Sequence, residues 1–132
     1  MAKKRDVPKV VEAQAFVLRD AKGKTRAQLF VDGEYGPVLW FLDSKEQVRL
    51  EIQLDRGRPI MRFIGNDQQP ALGFGTDENG GGGITIYHAN GMPAFMIGTR
   101  SLDNTVSASI SDKSGKVLWR SSVVLPDEVP TK

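Results

Sequence analysis

Four carboxylates recur along this chain in comparable surroundings: Asp20, Asp43, Asp67 and Asp112. General acid–base chemistry uses such groups, provided that one of them sits in a pocket dry enough to hold its proton. The single histidine, His88, falls between them. An imidazole can act as a base or bind a metal, but no Cys and no second His is present to complete a ligand set. The spacing favours a structural use for all five. Asp20-Ala21-Lys22-Gly23, Asp43-Ser44-Lys45-Glu46, His88-Ala89-Asn90-Gly91 and Asp112-Lys113-Ser114-Gly115 occupy equivalent places, the first two starting 23 residues apart and the last two 24 apart. The gap of 45 residues between the pairs leaves room for a degenerate copy near Asn66-Asp67-Gln68-Gln69. The chain therefore reads as five copies of one short unit, and a repeat of this kind governs every other reading.

An Asp or Asn that opens a turn accepts hydrogen bonds from amides two residues on. A Gly that closes it adopts the left-handed region without steric cost. These roles account for Asp20, Gly23, Asp43, Asp112, Gly91 and Gly115, and His88 is expected to make the contact that Asp makes in the other copies. Glu46 stands where Gly would, at a cost of about 1 kcal/mol if the geometry is kept; a different turn type is the alternative. No residue is assigned to catalysis, to a metal or to a cofactor, and no cofactor is expected. Hairpin tips seldom supply the desolvated pocket that acid catalysis needs, so the chain reads as not an enzyme.

The elements around these turns read as strands. Phe16 and Leu18 lie before the first turn; Ala27, Leu29 and Val31 lie after it. In the second copy Leu39 and Phe41 precede the turn, while Leu50, Ile52 and Leu54 alternate with Arg49, Glu51 and Gln53. A period of two marks half-buried strands. The expected fold is all-β: about ten antiparallel strands in up-and-down order, built from five hairpin repeats of about 23 residues, with almost no helix. Such a meander can close as a barrel, fold as a sandwich or assemble in layers with copies of itself. The domain spans residues 11–124, with a flexible arm over 1–10 and a flexible tail over 125–132.

Some segments are apolar on consecutive residues: Leu39 to Leu42, Ile60 to Ile64, and the matched pair that begins at Pro70 and Pro93. Hydrophobic side chains then fall on both faces of the sheet. The second face needs a cover, and Trp40, Leu42, Phe74, Phe95 and Ile97 are the candidate interface residues. Trp40, Trp119, Tyr35 and Tyr87 form an alternative set, as platforms for a glycan. Gly80 to Gly83 lack the helix and Lys of a phosphate loop and read as a flexible connection.

The totals set outer limits. The 132 residues include 39% hydrophobic and 26% charged side chains, suited to one soluble domain. The net charge of +2 is too small for the basic surface of a nucleic-acid binder, and the Lys3-Lys4-Arg5 arm reads as a solvated terminus. No apolar run approaches the roughly 20 residues of a membrane span. With no signal-like start and no Cys, a cytoplasmic location is expected.

The pattern Phe-x-Leu-x-Asp-x-x-Gly-Lys-x-Arg-Ala-x-Leu, from Phe16 to Leu29, resembles tandem β-hairpin repeats of uncharacterised bacterial proteins. The resemblance covers about residues 11–122. Turns such as Tyr87-His88-Ala89-Asn90-Gly91 are similar, more distantly, to the hairpin repeats of YD/RHS-type proteins, although only one copy carries the Tyr. Neither likeness implies a catalytic residue. The function expected is a structural or protein-interaction module that associates with copies of itself. The alternatives are a module that binds a glycan or cell surface, and a barrel that carries an apolar small molecule.

Overall fold

The computed structural model describes residues 10–100 and 105–124. The Lys3-Lys4-Arg5 arm, the Asp103-Asn104 connection and the 125–132 tail lie outside the described residues. The alternating segments form ten strands: β1 (Ala15–Arg19), β2 (Thr25–Asp32), β3 (Gly36–Leu42), β4 (Val48–Asp55), β5 (Arg58–Ile64), β6 (Pro70–Thr76), β7 (Gly82–Tyr87), β8 (Pro93–Arg100), β9 (Thr105–Ser111) and β10 (Val117–Val124). They make one antiparallel sheet in which every strand pairs with its neighbours in sequence. No helix occurs among the described residues. The fold class is thus all-β and up-and-down, as the repeat implies. The sheet is open and single, so the closed barrel and the two-sheet sandwich considered above are not formed within one chain.

Each strand–turn–strand unit is closed by the same device. The Asp20 amide donates to the Lys24 carbonyl and the Gly23 amide to the Asp20 carbonyl, both at 2.9 Å. The pattern returns at Asp43, Gly65, His88 and Asp112. One strand residue beside each of these turns falls out of register, between Leu18 and Arg19, Phe41 and Leu42, Phe63 and Ile64, Ile86 and Tyr87, and in the span Val117 to Trp119. The residue left without a partner is Arg26, Arg49, Ala71, Ala94 or Leu118, each three positions after the left-handed residue of its turn, which marks a bulge inside the second strand. All five turns project from one end of the sheet, since every second connection returns to that end.

The degenerate copy is a true turn, displaced by one residue from its expected start. It runs from Gly65 to Gln69, and Gln68 takes the left-handed place with φ 62°. Asp67 therefore sits inside the turn and not at its opening. Its carboxylate accepts the Gln69 amide at 3.1 Å. Glu46 keeps the turn geometry at φ 61°, so the alternative turn type is not used.

The Gly80 to Gly83 segment takes the form of a turn and the start of a strand. Asp77 opens a sixth turn of the same kind at the opposite end of the sheet, closed by Asp77 N to Gly81 O at 2.7 Å and Gly80 N to Asp77 O at 3.2 Å. Gly82 and Gly83 then begin β7. Their lack of side chains serves the adjacent strand of the same chain: a Cβ on Gly83 would stand 2.9 Å from the Ile97 carbonyl oxygen, and one on Gly98 2.9 Å from that of Gly82.

A single layer of sheet has little interior. Val38, 2% exposed, is the one fully buried hydrophobic side chain among the described residues.

Candidate functional site

The turns are tied to one another along their end of the sheet. Asp20 accepts the amides of Lys22 and Lys24 on one oxygen and the Arg26 guanidinium on the other. Arg26 also donates to the Asp43 carbonyl in the next unit. Twenty-three residues on, Asp43 accepts Lys45 N at 2.8 Å, Gln47 N at 3.1 Å and Arg49 Nε at 2.7 Å, and Arg49 reaches the Gly65 carbonyl. This is a ladder in which each Arg joins the Asp of its own turn to the backbone of the next. Arg26 and Arg49 stand six residues after their Asp, a recurrence that was available in the sequence.

His88 departs from the role expected of it. Within its own turn it is Asn90 that accepts the Met92 amide, at 3.2 Å. The His88 Nε2 lies 2.9 Å from the Ser111 carbonyl oxygen, 23 residues on, where a protonated Nε2 donates. The ring thus does the work of Arg26 and Arg49 and not that of Asp20. Ala94 occupies the Arg position of this unit, and the ring reaches across together with Asn90, whose Nδ2–H donates to the Lys113 carbonyl at 2.7 Å.

These carboxylates are held ionised. The Gln47 amide foremost, with the Lys45 amide and Arg49, keeps Asp43 below the usual range against a smaller effect of burial. Burial acts to raise Asp20, but Arg26 and the Lys24 and Lys22 amides together outweigh it and lower the group. The Ser114 side chain and amide do the same for Asp112. At the other end of the sheet the Tyr35 and Glu34 amides lower Asp32. A carboxylate held below its ordinary pKa is a poor proton donor near neutrality. Among the described residues no group of three or more His, Asp or Glu side chains is placed to hold a metal ion.

Register assigns every strand residue to one of two faces. On the first, the row Phe16, Leu29, Leu39, Ile52, Met61, Phe74, Ile84, Ile97, Ala108, Ser121 runs across all ten strands. Beside it runs Leu18, Ala27, Phe41, Leu50, Phe63, Leu72, Ile86, Phe95, Ile110, Trp119. Nineteen of these twenty residues are apolar and none is charged. They are also open to solvent: Phe16, Leu29, Phe41, Phe63, Phe74, Ile97 and Ile110 are each 40–46% exposed. Phe63 and Phe74 meet edge to face at 6.2 Å.

The second face is mixed: Val17, Phe30, Val38 and Trp40 make its β1–β3 end apolar, and Thr, Ser, Arg and Gly dominate it toward β10. Its rows include Gln28, Trp40, Glu51, Arg62, Gly73, Thr85, Met96, Ser109 and Arg120. Arg62 pairs with Glu51 at 2.7 Å. Phe30 and Trp40 pack edge to face at 4.8 Å, and the Trp40 Nε1–H is buried without an acceptor. From β5 to β10 this face curls around an open trough of about 730 Å³.

The expected interface set therefore divides. Phe74, Phe95 and Ile97 share the apolar face, whereas Trp40 and Leu42 alternate onto the mixed one and are half-buried there. The four aromatics of the glycan platform do not come together either. Trp40 and Trp119 lie on opposite faces, and Tyr35 is in the β2–β3 connection, its hydroxyl pKa raised chiefly by Glu34. Tyr87 lies over Gly73, 3.4 Å from where a Cβ would stand.

No protein-family model matches this chain, and no curated protein is found to be related to it. Among the described residues no helix is long and apolar enough to cross a membrane.

Proposed function

We propose that this chain is a non-enzymatic structural or protein-interaction module that associates with copies of itself through the apolar face of its sheet. One observation carries the reading: two adjoining rows of apolar residues cross all ten strands, uncharged and uncovered. Nine strand spacings of about 4.8 Å and a band roughly four residues deep give a flat footprint of about 600 Å². That equals the largest apolar patch of a typical monomer, roughly 300–600 Å², before the relief of the side chains is added. With it, the face approaches the roughly 800 Å² per partner of a stable protein interface.

A second copy is the occupant that fits this face best. Nothing charged on it repels an identical face, and symmetric closed association is the common solution for a self-complementary patch. Flanking residues continue the apolar band, as at Val31, 73% exposed, and Val123, 58% exposed. The band is nevertheless only about 14–20 Å deep at 3.4 Å per residue, short of the roughly 25 Å apolar belt of a membrane barrel. Against catalysis, the Asp carboxylates are committed to turn amides and guanidinium groups. Against an apolar ligand inside a barrel, the sheet is open.

Charged substitution tests this directly. Phe74→Asp and Ile97→Asp are expected to convert the assembly to monomer or aggregate in sedimentation velocity, while Val17→Asp, on the other face of β1, leaves it unchanged. Wild-type assembly retained by both Phe74→Asp and Ile97→Asp would refute the interface.

A further inference from the structure

We propose that the trough on the mixed face, between β5 and β10, binds a short acidic oligosaccharide. Its volume of about 730 Å³ falls within the roughly 300–1,000 Å³ of ordinary ligand sites. Six strands contribute to it, so the sheet curls far enough for β5 and β10 to wall one space. The floor is bare. Gly75, Gly83 and Gly98 lie opposite one another on successive strands, and contacts with neighbouring strands exclude a Cβ at each. Glycines demanded by close strands thus leave a bed where a ligand can approach the backbone.

The walls match an acidic sugar. Ser107, Ser109, Ser122 and Thr85 line the trough and offer hydroxyls, each able to donate and accept as sugar hydroxyls require. Arg62 and Arg120 face it from opposite sides, and a guanidinium binds a carboxylate through two parallel hydrogen bonds. Arg58 and Arg62, also in the lining, are already paired with Asp55 and Glu51. Arg120 meets no carboxylate among the described residues and is the cation offered to a ligand. The one acidic side chain in the lining, Asp77, already accepts the Asn79 and Gly81 amides at 2.8 Å.

The test is a titration of isotope-labelled protein with digalacturonate, maltose and inorganic phosphate, followed by amide NMR. Digalacturonate is expected to shift the Thr85, Ser107 and Ser109 resonances saturably and to weaken as salt rises. Arg120→Gln is expected to reduce the affinity at least fivefold, and Arg19→Gln, away from the trough, to leave it unchanged. No shift in the trough residues, or equal binding by Arg120→Gln, would overturn the proposal. Equal affinity for phosphate would also overturn it, because the hydroxyl wall would then contribute nothing, and equal affinity for maltose would remove the role of the charge. These outcomes are independent of the apolar face, which the digalacturonate titration does not probe.

Discussion

Glu46 shows how a residue can sit in an unfavourable backbone region and still belong there. A non-Gly residue at φ 61° pays roughly 1 kcal/mol or more for crowding between its Cβ and the backbone. Its carboxylate accepts the Thr25 amide of the preceding unit at 2.9 Å, which offsets part of that cost. Removing the carboxylate while keeping the Cβ exposes the strain alone. Glu46→Ala is therefore expected to be about 1 kcal/mol less stable than Glu46→Gly, which loses the bond but sheds the strain. Urea denaturation of the three proteins measures this; equal stability of the Ala and Gly variants would deny the strain. Trp40 is the opposite case, a large side chain whose indole N–H finds no acceptor in a buried place.

The hairpin is the element that repeats, and its turns were largely legible in the chain. Period-two alternation at Leu50, Ile52 and Leu54 marks the strands, and the Asp-to-Gly signature marks the turns. Three things were not legible. The turn at Gly65 lacks both an opening Asp and a closing Gly, so only the repeat length hints at it. Asp77 opens a turn whose signature was masked by the run of glycines after it. His88 was read through its position, whereas its ring reaches the neighbouring unit, a contact that depends on how adjacent hairpins stack.

The same turns make the fold sensitive to acid. Asp20, Asp43 and Asp112 are held below the ordinary carboxylate value of 3.8 in the folded chain. Each therefore stabilises the fold fully above its unfolded pKa, and that contribution is lost as pH falls through the lower, folded value. Stability is expected to decline from about pH 4 downward. The triple variant Asp20→Asn, Asp43→Asn, Asp112→Asn should lose less between pH 5 and pH 2.5, as read by urea midpoints. An unchanged slope would mean that these turns do not carry the acid response.

For the molecule as a whole, the sheet leaves one face apolar from edge to edge and the other mixed. Leu39-Trp40-Phe41-Leu42 is apolar on both sides: Trp40 joins Phe30 and Val38 at the apolar end of a face that turns to Arg, Ser and Gly toward β10. Leu39 and Phe41 join the unbroken apolar one. Which cover a face receives depends on curvature and on other chains, and neither is written in local periodicity. One layer with a single buried hydrophobic residue among those described, Val38, does not supply the core expected of a domain this size. Packing that apolar face against a copy of the chain would supply it, and the curled mixed face would remain open on the outside.

The decisive measurement is the solution mass, by light scattering coupled to size exclusion over a range of concentrations. A closed oligomer that persists on dilution is the predicted result. A stable, folded monomer of 14.5 kDa at every concentration would contradict it, because the apolar face would then stand uncovered in water.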